Sequence, residues 1–107
     1  MMRNKLPNLD QFFGGYFHED WNLEAKDASA AVSHYLNDAP DPTVLKTIEE
    51  LNQLLDMNLD EERLREIMIY DLSCCYDPEF YGISQTDWLR WIQTSLKQAS
   101  KKTPVLR

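Results

Sequence analysis

The stretch Asp41-Pro42-Thr43-Val44-Leu45-Lys46-Thr47-Ile48-Glu49-Glu50-Leu51-Asn52-Gln53-Leu54-Leu55 decides the fold class. Val44, Ile48, Leu51, Leu54 and Leu55 recur at the i, i+3, i+4 spacing of a single helix face. Asp41 reads as an N-cap. Pro42 then falls at the first helical position, where its missing N–H costs nothing. Glu49 and Glu50 read as the solvated side of this helix, which is expected to fray near Met57-Asn58.

The same periodicity extends in both directions. Upstream, Asp27 caps a helix with Ala28, Ala31, Val32, Tyr35 and Leu36 on one face, broken at residues 37–40. Pro7-Asn8 opens an earlier short helix that Gly14-Gly15 is expected to stop. Downstream, Asp60 caps a helix with the stripe Leu64, Ile67, Met68 and Leu72. Ser84 and Asp87 then form a near capping box ahead of Trp88, Trp91, Ile92 and Leu96. No segment alternates apolar and polar residues between turn signals, so no strand is predicted. The expected fold is all-α: a single-domain bundle of about five helices with two aromatic-rich connecting loops, at residues 14–26 and 73–83. Residues 6–99 form the expected domain, between a short basic tail at 1–5 and a second basic tail at 100–107.

The aromatics Tyr16, Phe17 and Trp21 lie in the first loop region, and Tyr76, Phe80 and Tyr81 in the second. That much ring area does not stay in water, so both loops are expected to fold back over the core. Phe12, Phe13, Tyr16, Phe17, Trp21, Trp88 and Trp91 are assigned to the core rather than to a surface.

Charge is unevenly distributed. Residues 6–96 hold all eighteen Asp and Glu but only five bases, a formal charge of −13. The other six bases lie in the flanking segments. Such a body repels polyphosphates and attracts cationic surfaces, which disfavours direct nucleic-acid binding and points to a basic protein partner. Solubility alone is the competing explanation for the acidity. No apolar run approaches the roughly 20 residues of a membrane span, and no secretory leader is read at the N-terminus. Cys74 and Cys75 are adjacent, an unfavourable geometry for a disulfide, and free thiols fit a reducing cytoplasm.

Enzyme signatures are missing. Three glycines build neither a dinucleotide fingerprint nor a phosphate loop. A Cys74 or Cys75 pair with His18 or His34 lacks any spacing that would bring nucleophile and base together. His18-Glu19-Asp20 invites a metal or acid–base reading, but consecutive side chains splay apart. The expected arrangement is a turn in which His18 bonds backbone while Glu19 and Asp20 face water. No catalytic residue, cofactor or metal is expected.

Taken together, Pro7-Asn8-Leu9, Gly14-Gly15-Tyr16-Phe17-His18-Glu19-Asp20-Trp21, Cys75-Tyr76-Asp77-Pro78 and Trp88-Leu89-Arg90-Trp91 give a sequence that resembles the immunity proteins of bacterial contact-dependent growth inhibition systems (CdiI-type). The resemblance spans residues 6–96, and its first run is the most specific part. It implies a small, non-enzymatic helical protein of the cytoplasm that binds, in a 1:1 complex, the toxin domain at the C-terminus of a delivered effector. It further implies that the toxin is often a nuclease with a basic cleft, which agrees with the acidic body read from composition. An adaptor or regulator with no toxin partner is the alternative. Asp27, Asp41, Asp60 and Asp87 are set aside as caps, and Glu49, Glu50 and Glu62 as solvated faces. The remaining interface candidates are Glu19, Asp20, Glu24, Glu61, Glu66, Asp71, Asp77 and Glu79, with Tyr76 or Tyr81 as anchors.

Overall fold

A computed structural model describes residues 2–102, and the side chains of residues 4–99. Of the tail expected over 100–107, residues 100–102 continue the last helix, and 103–107 lie outside the described residues. Seven α-helices follow one another among those described. They are α1 (Met2–Lys5), α2 (Pro7–Tyr16), α3 (Trp21–Glu24), α4 (Ala28–Asp38), α5 (Asp41–Asp56), α6 (Glu61–Glu66) and α7 (Gln85–Lys102). α6 continues as a π-helical turn, Ile67–Asp71, and a 3₁₀ turn, Pro78–Tyr81, precedes α7. No strand is found among the described residues, and the all-α expectation holds. The substantial helices are α2, α4, α5, α6 with its π continuation, and α7, which is the expected bundle of about five. A Cα radius of gyration of 13.3 Å matches a single domain of this length, for which about 13 Å is usual.

α5 and α7 form the central pair; α2 lies across α5, α4 packs on α2 and α7, and α6 packs on α7. The core stripe of α5 is Val44, Ile48, Leu51 and Leu54, all buried, and Leu64, Ile67, Met68 and Leu72 are buried from the α6 segment. Two of the expected caps are in place. The Asp27 carboxylate accepts the Ala30 N–H at 2.8 Å and Asp60 accepts that of Arg63 at 2.7 Å, each satisfying an orphan donor of the first turn.

Several local expectations are corrected. Gly14-Gly15 does not stop α2, which runs through both to Tyr16. Phe12, Phe13 and Phe17 are fully buried along this segment. Their burial outweighs the roughly 1 kcal/mol that each helical glycine costs. Pro40, not Asp41, occupies the N-cap of α5, so Asp41 lies inside the first turn with no side-chain cap bond. Trp91 is not a core residue: it is 38% exposed, whereas Leu89 is fully buried. At 100° per residue, Trp91 falls on the flank of the face formed by Trp88, Leu89, Ile92 and Leu96.

Glu50 is the largest correction. It is not a solvated residue but is 8% exposed, pointing into the interface between α5 and α2. Its carboxylate accepts the backbone N–H groups of Asn8 at 2.8 Å and Leu9 at 2.9 Å, and the Asn8 side-chain amide at 2.6 Å. Leu6, the N-cap of α2, has no side-chain oxygen to offer these donors. A glutamate 42 residues away therefore caps the helix and places negative charge at the positive end of its dipole. Glu49, its neighbour, faces solvent as expected.

Candidate functional site

The two irregular connections meet on one side of the bundle. The Cys75 N–H donates to the Phe17 carbonyl at 2.7 Å, joining the exit of α2 to the segment after the π turn. Tyr76 then lies edge-on to Phe17 and Trp21, at 5.8 and 5.3 Å between ring centroids, and stacks on Trp88 at 4.7 Å. The expected folding back over the core holds for Phe17, Trp21 and Tyr76 in this ring cluster, but not for Phe80 and Tyr81, which are exposed. Burial pushes the Cys74 thiol up to about 12, so it stays protonated, while its Sγ lies 3.4 Å from the Tyr76 carbonyl.

Two local devices lead into the cluster. The π turn, with its Leu72 N–H donating to the Ile67 carbonyl at 2.9 Å, keeps Leu72 on the buried face. Ser73 then adopts φ +57°, the left-handed conformation that ends a helix. Beyond it, Asp77-Pro78 starts the 3₁₀ turn, as its sequence suggests. The Asp77 carboxylate accepts the Glu79 N–H at 3.1 Å and the Gln85 side-chain amide at 3.3 Å. Glu79 takes the same amide at 3.0 Å. Gly82 closes the turn at φ +77°, which a residue with a Cβ rarely adopts. Arg65 of α6 lays its guanidinium on Asp77 at 3.0 and 3.3 Å.

The ten interface candidates divide by this geometry. Glu19, Asp20 and Glu24 are exposed around α3. His18 accepts the Asp20 N–H on Nδ1 at 3.0 Å, as expected for a turn, and its Nε2 lies 3.2 Å from Glu24. Asp77 caps the 3₁₀ turn and Glu79 lies within it. Tyr76 is half-buried and Tyr81, stacked on it at 5.2 Å, is exposed. Burial first, and then neighbouring Tyr81, raises the pKa of the Tyr76 phenol. Glu66 is exposed and pairs with Arg63 at 3.3 Å, and Asp71 is half-buried at the end of the π turn. Glu61 is engaged internally: it accepts the Gln85 N–H at 2.6 Å, the Thr86 N–H at 3.2 Å and the Thr86 hydroxyl, which makes it the anchor of the α7 N-terminus. The Ser84 hydroxyl meanwhile accepts the Asp87 N–H at 3.0 Å, one half of the expected capping box.

Chemically the site offers carboxylates, rings and a backbone tied by hydrogen bonds. Among the described residues no group of His, Cys, Asp and Glu is placed to hold a metal ion, and no helix is long and apolar enough to cross a membrane. Two participants escape the sequence reading, Arg65 and Gln85, and a third, Phe80, departs from its expected place over the core. Gln85 is 2% exposed, a polar side chain whose burial follows only from its two carboxylate partners. Phe80 is 83% exposed, the most exposed large apolar residue among those described. Its signal in the sequence is an apolar residue inside a Pro-Glu-Phe-Tyr-Gly turn that belongs to no helical stripe.

Comparison with known proteins adds the family. A sequence model of the family described as CdiI immunity protein matches residues 5–96. No curated protein matches the chain at a significant level. Among solved structures, a chain of the CdiA-CT/CdiI complex from Y. kristensenii 33638 superposes with a TM-score of 0.85 at 23% identity, over 90% of this chain and 97% of that one. At that identity the superposition speaks for the fold. The family match covers most of the sequence, including both ring-bearing connections, and the chain belongs to the CdiI immunity protein family.

Proposed function

We propose that this chain protects a bacterial cell by binding, one to one, the C-terminal toxin domain of a contact-dependent growth inhibition effector and blocking it. The observation that carries the reading is the family match over residues 5–96. The similar fold in a CdiA-CT/CdiI complex supports it. The helical body of residues 6–99 is the binding unit, and it acts in the cytoplasm by occupying a surface, with no catalytic step of its own.

The acidic body supports a basic partner. A nuclease cleft lined with Lys and Arg to hold phosphates is the natural counterpart, since carboxylates can take the place of phosphates there or obstruct the approach beside them. Within this reading the contacting acids come from Glu19, Asp20, Glu24, Glu66, Asp71, Asp77 and Glu79. Glu61 contributes indirectly by holding α7. The test is co-expression of the chain with the toxin domain encoded beside it. Growth should be restored, and the purified pair should migrate as a 1:1 complex by light scattering. Continued killing in the presence of soluble chain would reject the proposal.

A further inference from the structure

The turn Pro78–Tyr81 is built more firmly than a connection requires. Pro78 is buried at its start, and the Ile83 N–H returns to the Pro78 carbonyl at 3.0 Å. Asp77 is held by Arg65, and Gln85 ties both carboxylates of the turn to α7. A column of rings runs outward from the core: Trp88 stacks on Tyr76 at 4.7 Å, Tyr76 on Tyr81 at 5.2 Å, and Tyr81 meets Phe80 edge-on at 5.3 Å. The inner end of this column is buried and the outer end is Phe80, 83% exposed. Tyr81 and Ile83 beside it are 57% and 38% exposed. Phe80 gains little within the chain from this position, because most of its surface stays in water.

We propose that Phe80 is the principal anchor of the toxin contact, inserted into an apolar pocket on a basic face of the toxin domain, with Glu79 pairing a cation at the rim. This inference rests on the toxin-binding reading above. A rigid aromatic presented at the tip of a fixed turn loses little conformational freedom on binding, and such residues dominate interface energetics. Asp77 is already paired with Arg65, so Glu79 and the surrounding acidic body set the sign of the partner's surface. The same acids argue against a second copy of this chain as the occupant, because a −13 body would bring like charges together at that contact.

The experiment measures binding of the cognate toxin domain by calorimetry for wild type, Phe80→Ala, Glu79→Lys and Leu45→Ala, with melting temperatures for each. Leu45 is 55% exposed on α5 and serves as the control for losing an exposed apolar side chain. Phe80→Ala should keep the melting temperature within a few degrees and weaken binding by roughly 30-fold or more. Glu79→Lys should weaken binding less than Phe80→Ala does, and Leu45→Ala should bind as wild type. Wild-type binding with Phe80→Ala equally tight would overturn the anchor assignment while leaving the toxin reading intact. Failure of the wild type to bind would overturn both. A wild-type dimer that Phe80→Ala converts to monomer would overturn the toxin assignment in favour of self-association.

Discussion

Glu50 and Glu49 are neighbours with opposite roles, and a pair of substitutions separates them. Removing Glu50 leaves two backbone donors and one amide at the α2 terminus without their charged partner. Glu50→Ala should therefore cost about 2–3 kcal/mol, seen as a large drop in melting temperature by circular dichroism. Glu49→Ala should stay within about 0.5 kcal/mol, as for most surface changes. Equal, small effects would mean that the carboxylate is not the cap of α2. A second test at this scale concerns Tyr16. Burial, and then its 2.7 Å bond to Asp38, pushes its phenol from the ordinary 10.0 up to about 12. A raised pKa favours the protonated, folded form. Its stabilising contribution is whole below pH 10 and is lost as pH rises towards 12. Tyr35 and Tyr76 are raised as well, so phenolate absorbance should show fewer tyrosines titrating near pH 10 in the folded protein than in the unfolded chain; Tyr16→Phe should remove one of the late-titrating phenols and part of the alkaline destabilisation.

The helices carry their own predictions. Asp27→Ala and Asp60→Ala each delete a side-chain cap and should cost about 1 kcal/mol in thermal unfolding. Asp41→Ala should cost less, about 0.3–1 kcal/mol, because Pro40 holds the cap position and Asp41 contributes only its charge near the dipole. A loss at Asp41 equal to those at Asp27 and Asp60 would contradict this. Helix existence and caps were legible in the sequence because both depend on residues within one or two turns of each other. Asp27 with Ala30 and Asp60 with Arg63 are such local pairs. What was not legible was the phase and extent of α7 and α2. Trp91 misled because a ring suggests burial, while the face was set by the partners of Trp88, Leu89 and Ile92. Gly14-Gly15 misled because their local cost was overridden by three buried phenylalanines around them.

At the scale of the molecule, eighteen acids against five bases over residues 6–96 create a field that reaches beyond any single contact. If the toxin domain is basic, its association rate should fall as salt rises from well below to well above physiological ionic strength, as the Debye length shrinks below about 8 Å. Dissociation should change less, because it depends on desolvated contacts. Stopped-flow mixing across that range is the measurement. A salt-independent association rate would reduce the acidity to a solubility trait.

The sequence by itself determined what short-range rules govern. Helical periodicity, two of the caps, the acidic body and the Gly14–Trp21 run that carries the family resemblance all follow from residues close together in the chain or from simple counts. Only the tertiary structure decided which carboxylates are internal. Glu50 reaches a helix start 42 residues away, and Glu61 reaches the next helix 24 residues on. Only the tertiary structure placed Phe80 at the outer end of a ring column whose members span residues 76–88. A carboxylate on a helix face has the same local signature whether it meets water or another helix's N–H groups. The difference lies in how the helices pack, and that is fixed by the core as a whole.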